Sequence, residues 1–362
     1  MEFHLSSFLW YIGVLVLSYI FASRAERSKN DNKRRWNFFV SYLIVVSFCA
    51  LRFFVGNDYY NYYASFNLIQ KYEENVLLWE PGYYYLNLLF SYSDIGYLYV
   101  IGICSVITFS FLFAAVWNKG NLKYGVICIV ALGILIFVND AIRQGVALSI
   151  CIWSTRFIES NEKSRFVLSV LLAVMFHYTS VIFFVALFLK KIKIPWYMWY
   201  VLLFTVLILQ LTGFAEKTYR IIMSYVPLYG EGYLDKDQYS TTQRFGLSIL
   251  YRYILALPFI AYINRFKDEN VLVNLYLGGL LLNGLFFGFM NFERIAMYFY
   301  FAQILVYPVF LKKFTMRPII IVIIVSYFSL QSLLALEKHG AVPYRTLFYE
   351  NLINPPYEEE IE

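Results

Sequence analysis

Five arginines and one histidine stand where a hydrocarbon environment penalises them. Arg52, Arg143, Arg244, Arg252 and Arg294 lie at or near the ends of long apolar runs, and His177 lies in the middle of one. A charged side chain in the bilayer costs at least ~2.5 kcal/mol, so each needs a partner or a purpose. Guanidinium groups are planar forks that match phosphate oxygens, and several converging on one cavity would hold a multiply charged phosphate ester. The blander reading stands beside this one: a lone arginine at a helix end is more often a snorkelling anchor, and a lone histidine a hydrogen-bonded structural residue. Arg294 follows Glu293 and can pair with it, while Arg244 and Arg252 can share one helical face. Asp58, Asp140 and Glu80 are the acidic candidates. A hydroxyl used as a nucleophile needs a base within hydrogen-bond reach, and any of these carboxylates, or neutral His177, can serve.

The elements that position these residues follow from composition. A chain of 362 residues that is 60% hydrophobic and only 15% charged cannot bury its apolar surface in one water-soluble core. Apolar runs of about 20 residues, enough to cross a layer roughly 30 Å thick, recur along it. The expected fold is an all-α polytopic integral membrane protein of roughly 10 to 12 transmembrane helices, forming one membrane domain over 1–362. The first run, 3–23, has no basic segment before it and is expected to be a retained helix, not a cleaved signal.

Charge parity threads the chain. The basic loop 24–35 belongs in the cytoplasm, which puts Arg52, Gly56 and Asp58 at the outer face after a helix over 37–55. A Tyr-rich outer loop, 56–95, contains Glu80-Pro81-Gly82, a helix-start signal followed by an apolar stretch too short to span. Helices at 96–117, 124–138 and 142–158 follow, with Asn139, Asp140 and Arg143 at an outer turn. Segment 166–189 has the length of one helix but carries His177-Tyr178-Thr179-Ser180 at its centre. A single crossing would put Lys190, Lys191, Lys193, Arg265, Lys312 and Lys313 outside, so the segment is expected to be a re-entrant hairpin bent near His177. A second outer loop, 215–245, then precedes the last four helices. In this threading Arg52, Arg143, Arg244, Arg294 and His177 share the outer face.

Other chemistries have weak or no signals. Cys49, Cys104, Cys128 and Cys151 lie in apolar runs without ligand spacing and read as small buried hydrophobes. Asp235-Lys236-Asp237 has the form of a D-x-D metal site, but alone in a polar loop it carries little weight, and no metal or other cofactor is expected. The net charge of +6 resides in short loops between apolar runs, which is topology and not a nucleic-acid footprint. P-loop, dinucleotide, zinc-protease and serine-hydrolase motifs do not occur.

The stretch Leu51-Arg52-Phe53-Phe54-Val55-Gly56-Asn57-Asp58-Tyr59-Tyr60-Asn61-Tyr62, with Glu80-Pro81-Gly82-Tyr83, Arg143-Gln144-Gly145-Val146-Ala147, Phe176-His177-Tyr178-Thr179-Ser180 and Glu293-Arg294, resembles the EpsG family of bacterial polysaccharide polymerases, which are similar to Wzy O-antigen polymerases. The resemblance implies a GT-C-like glycosyltransferase of the bacterial inner (cytoplasmic) membrane, with its active site facing the periplasm. It would transfer a growing glycan from undecaprenyl pyrophosphate to the non-reducing end of an incoming undecaprenyl-pyrophosphate-linked repeat unit. Arg52, Arg143, Arg244 and Arg294 would hold the pyrophosphate, with His177, Asp58 or Glu80 as catalytic groups. The implied partners are the lipid-linked oligosaccharide, membrane lipid and a chain-length regulator protein, with no nucleic acid. An O-antigen ligase and a lipid-linked oligosaccharide flippase are the alternatives. The Arg-x10-Gly pattern of some O-antigen polymerases does not start at Arg52, Arg143, Arg220, Arg244 or Arg294.

Overall fold

The computed structural model describes residues 4–72, 80–214, 217–218, 220–221, 247–265, 270–334 and 340–349. Among them the regular secondary structure is helical: α1 (Leu5–Arg27), α2 (Asp31–Ala50), α3 (Tyr59–Tyr72), α4 (Pro81–Phe90), α5 (Gly96–Asn118), α6 (Leu122–Ala131), α7 (Ile134–Asp140), α8 (Ile142–Glu159), α9 (Lys163–Val174), a 3₁₀ segment Tyr178–Val185 running into α10 (Ala186–Leu189), α11 (Trp196–Leu211), α12 (Leu247–Ala261), α13 (Asn270–Leu285), α14 (Met290–Tyr300), α15 (Gln303–Lys313) and α16 (Arg317–Leu334). The protein is a polytopic helical membrane protein. Helices α1, α5 and α16 are long and apolar enough to cross a bilayer singly, and α6–α7 and α14–α15 are apolar helix pairs, bent by 49° and 41°, each long enough together to form one broken span or a re-entrant loop. Shorter apolar helices of 10–17 residues, α11, α12 and α13 among them, accompany these.

Two compact units divide the chain: residues 1–156, 164–181 and 307–362 in one, 157–163 and 182–306 in the other. In the first, α1 lies against α2, α6 and α16, and α5 against α2, α3, α4 and α6. Small residues let α1 and α2 approach closely, and Ser41 Oγ donates to the Ser18 carbonyl at 2.8 Å. The 340–349 segment is pinned to the ends of α1 and α2. The Tyr344 ring stacks on Phe48 at 4.2 Å, its hydroxyl donates to the Phe48 carbonyl, and its N–H donates to Ser7 Oγ. In the second unit α13 is central, touching α10, α11, α12 and α14.

Helix ends differ from the sequence expectation where the backbone leaves right-handed space. The α2 helix ends at Ala50, not near 55, because Phe54 (φ 47°) and Gly56 (φ 110°) turn the chain. The bend between α6 and α7 falls at Gly133, φ 89°, which no helix interior accommodates.

The first unit has two distinct ends. The backbone and side chain of Lys123 both reach the Glu26 carboxylate, joining the loop before α6 to the end of α1. The turn at 139–143 lies at the far end of α6–α7. The 163–189 segment reverses. Its helix stops at Val174, and at its far end Lys190 Nζ donates to the Ile158 carbonyl at 2.8 Å and to Asn161 Oδ1 at 2.6 Å, beside the start of α9. A single pass over those residues would separate Lys190 from Asn161 by ~40 Å. The chain between them therefore turns back on itself. Because Lys190 neutralises the carbonyl end of α8, Lys190→Met is expected to lower stability by about 1 kcal/mol, a partly exposed charge-assisted bond being discounted for solvent. Thermal unfolding in detergent checks this; an unchanged midpoint would show that the ammonium does not hold the reversal.

Candidate functional site

At the end of the first unit opposite Glu26, two side chains far apart in sequence meet on the carboxylate of a third residue. Glu80 immediately precedes α4, whose first residue is Pro81. Proline restricts its predecessor to extended conformations, and Glu80 has φ −61°, ψ 137°. Its side chain does not cap its own helix. Instead Oε2 accepts from Arg143 Nη1 at 2.5 Å, and Oε1 faces His177 Nδ1 at 3.0 Å and accepts from the Tyr178 N–H at 3.4 Å.

Local backbone explains how the three arrive. His177 sits in the turn between α9 and the 3₁₀ segment, its N–H donating to the Ala173 carbonyl. Gly82 brings α4 onto that turn: its N–H donates to the Met175 carbonyl at 2.8 Å, and a Cβ there would lie 2.9 Å from the same oxygen. Arg143 is in the first turn of α8, with its guanidinium 5.5 Å from the Tyr83 ring centroid. Tyr62 Oη accepts from the Ile142 N–H, one of the donors a helix start leaves without a helical partner.

The side chain of Glu80 is 5% exposed, whereas those of His177 and Arg143 are 21% and 24% exposed. Burial by itself pushes the Glu80 carboxyl up, but the hydrogen bond from His177 and the charge of Arg143 outweigh it and hold the group below its ordinary range. An ionised carboxylate can only accept, so His177 Nδ1 carries a proton and its reactive lone pair, when the ring is neutral, is on Nε2. This arrangement suits a base presented at an accessible edge and oriented from behind by a buried acid.

The other expected site residues are placed differently. Asp58 lies in the next loop, where its N–H donates to Asp140 Oδ1 at 3.3 Å and its Oδ1 accepts from Asn61. Arg52 is 1% exposed and turned inward. It donates to the carbonyls of Cys49, Val55 and Asn139 and lies 3.4 Å from Ser105 Oγ. Of the arginines expected at the pyrophosphate, Arg52 has a guanidinium that ties the end of α2 to the 139 turn. Arg294 belongs to the second unit, at the fifth residue of α14, and is partly exposed. Its neighbour Glu293 is held by other groups: Asn283 Nδ2 donates to Glu293 Oε1 at 3.3 Å, and Arg252 reaches Asn283 Oδ1 at 2.5 Å and Glu293 at 3.8 Å. Arg244, Asp235, Asp237, Tyr225, Tyr229, Tyr233 and Tyr239 lie outside the described residues. All four cysteines are buried free thiols.

Sequence reasoning missed Asn283, a fully buried amide whose signal was its place in an apolar helix. The Tyr-rich loop also divides its tyrosines between inside and outside. Tyr59, Tyr62 and Tyr83 are buried, Tyr62 and Tyr83 edge to face at 6.0 Å, while Tyr60 and Tyr85 remain exposed. A model described as the EpsG family matches residues 35–346. No curated protein and no solved structure matches the chain.

Proposed function

The chain belongs to the EpsG family and is a membrane protein of polysaccharide biosynthesis; from that premise we propose that it is a glycosyltransferase that polymerises lipid-linked oligosaccharide repeat units. The observation that carries the reading is the grip of buried Glu80 on both His177 and Arg143. In the proposed step His177 Nε2 takes the proton of an acceptor sugar hydroxyl. That oxygen forms a bond to the anomeric carbon of the growing glycan, and the bond from this carbon to undecaprenyl pyrophosphate breaks. Arg143 lies beside the base and balances charge on the departing pyrophosphate, an electrostatic contribution that asks for no nucleotide. Arg294 and Arg244 remain proposed pyrophosphate ligands, and Glu80 acts by orienting His177. The positive-inside rule turns this end of the helices toward the periplasm of an inner-membrane protein.

Purified protein in lipid vesicles is expected to lengthen a lipid-linked repeat unit without nucleotide. His177→Ala should cut turnover by about 10²–10⁴-fold, the range of general base catalysis, while Asp58→Asn retains most of it. A wild-type protein that moves the unit across the bilayer but never extends it would sink the reading. That outcome has its own structural motive, because the Arg252–Asn283–Glu293 network lies between helices of the second unit, where a carrier would keep buried charges.

A further inference from the structure

Next to the Glu80 cluster, the chain holds a groove built from two segments nearly 300 residues apart. Residues 51–57 and 340–347 are joined at several points: Gly56 N–H donates to the Gly340 carbonyl, Phe53 N–H to the Arg345 carbonyl and Leu347 N–H to the Leu51 carbonyl, all at 3.0 Å. Both walls are thus held by main chain, and the space between them is preformed. Its cavity is about 260 Å³ and is lined by Gly56, Asn57, Tyr60, Gly340, Pro343 and Arg345 among others. Two of these are glycines for reasons of space. A Cβ on Gly340 would lie 2.7 Å from Asn57 Oδ1, and one on Gly56 would lie 2.5 Å from the Asn139 carbonyl.

The lining has a consistent chemistry. Among the described residues no carboxylate pairs with the Arg345 guanidinium, and none of the lining residues is acidic. Tyr60 is 36% exposed and Pro343 is exposed, so an aromatic face and a flat apolar ring border the cavity. Apolar faces beside one amide and one planar cation suit a sugar ring, whose C–H face stacks while its hydroxyls accept from Arg345 and exchange hydrogen bonds with Asn57. The volume is below the roughly 300–1,000 Å³ of a site for a drug-sized ligand, and one guanidinium is poor company for a pyrophosphate. The groove also abuts the reacting end. Gly56 rests on Asn139, and Asp58 is hydrogen-bonded to Asp140, three residues before Arg143.

We propose that this groove seats the non-reducing terminal sugar of the incoming repeat unit, with Arg345 and Tyr60 as its principal binding residues. The inference rests on the polymerase reading and deepens it by separating an acceptor subsite from the pyrophosphate end. Neither residue touches the reacting atoms; both hold the sugar whose hydroxyl attacks.

The probe is the repeat-unit oligosaccharide released by mild acid from the lipid-linked pool of cells lacking the gene, free of lipid and pyrophosphate. Titrated into the full-length protein in nanodiscs and followed by saturation-transfer NMR, it is expected to bind the wild type. Arg345→Ala and Tyr60→Ala should each weaken it about tenfold, the loss of one charge-assisted hydrogen bond or one stacked ring. Arg345→Lys keeps the charge and stem but loses the fork, and should fall between; it and Tyr60→Ala carry the test if Arg345→Ala fails to fold. Equal binding by the folded variants and the wild type, or no binding by the wild type, overturns the groove. The polymerase reading is judged separately, by whether the wild type extends the lipid-linked unit.

Discussion

A Glu80→Gln protein is expected to reach the membrane and yet make almost no long-chain polysaccharide. The substitution keeps the shape of the side chain but removes the charge that Arg143 and His177 both face at 2.5 and 3.0 Å. Two consequences follow. The Arg143 cation loses its carboxylate partner, a change that costs about 3–5 kcal/mol for a fully buried pair and less here, because Arg143 is a quarter exposed. The imidazole also loses the acceptor that fixes its proton on Nδ1, and an amide can hold the ring in the wrong tautomer or orientation. General base catalysis contributes about 10²–10⁴-fold, and that whole range is at risk. Glu80→Asp should do partial damage, since a side chain shorter by one methylene cannot reach both partners. The readout is polysaccharide chain length beside membrane protein level; normal chains at normal level in Glu80→Gln would remove the carboxylate from the mechanism.

The same carboxylate carries a pH signature. Its folded-state pKa is depressed, despite burial, by the His177 hydrogen bond and the Arg143 charge. A depressed acid stabilises the fold above its unfolded pKa of about 4.3 and loses that contribution as the pH falls through the lower folded value. The stability difference between wild type and Glu80→Gln should therefore be full near neutrality and shrink in acid. A constant difference across that range would mean that the Glu80 charge is not what stabilises the bend.

Arg52→Ala is expected to fail earlier, as protein that does not accumulate. Arg52 is the largest of the fully buried side chains, and it answers the carbonyls of Cys49, Val55 and Asn139 from one guanidinium, 5.8 Å from the Tyr59 ring centroid. Each buried carbonyl left without a donor costs roughly 1–3 kcal/mol, and the truncation also opens a cavity. Several kcal/mol is a large part of the stability of any domain. Arg52→Lys keeps the charge but has one ammonium for acceptors spread around a fork, so it should rescue little. Fluorescence-detected size-exclusion profiles of tagged variants decide the matter. A monodisperse Arg52→Ala protein at wild-type level, inactive in polymerisation, would place Arg52 at the pyrophosphate site.

Much of the architecture was legible in the residues alone. Apolar run lengths placed α5 and α8 within a residue or two, Pro81 marked the start of α4, and lysine parity required the reversal at His177 that Lys190 and Asn161 now close. Those features are local or additive: helix length, proline geometry and loop charge can be read segment by segment. The same arithmetic brought Glu80, Arg143 and His177 to one face as candidates with separate roles. It could not find that Glu80 sits between the other two, because those contacts span 63 and 97 positions and depend on Gly82 letting α4 close on the Met175 turn. Nor could it tell Arg52 from Arg143. Both follow apolar runs at the same face, and what separates them is the direction of the side chain, inward onto three carbonyls or outward beside a histidine, which only the packing of α2 against α5 and the 139 turn decides.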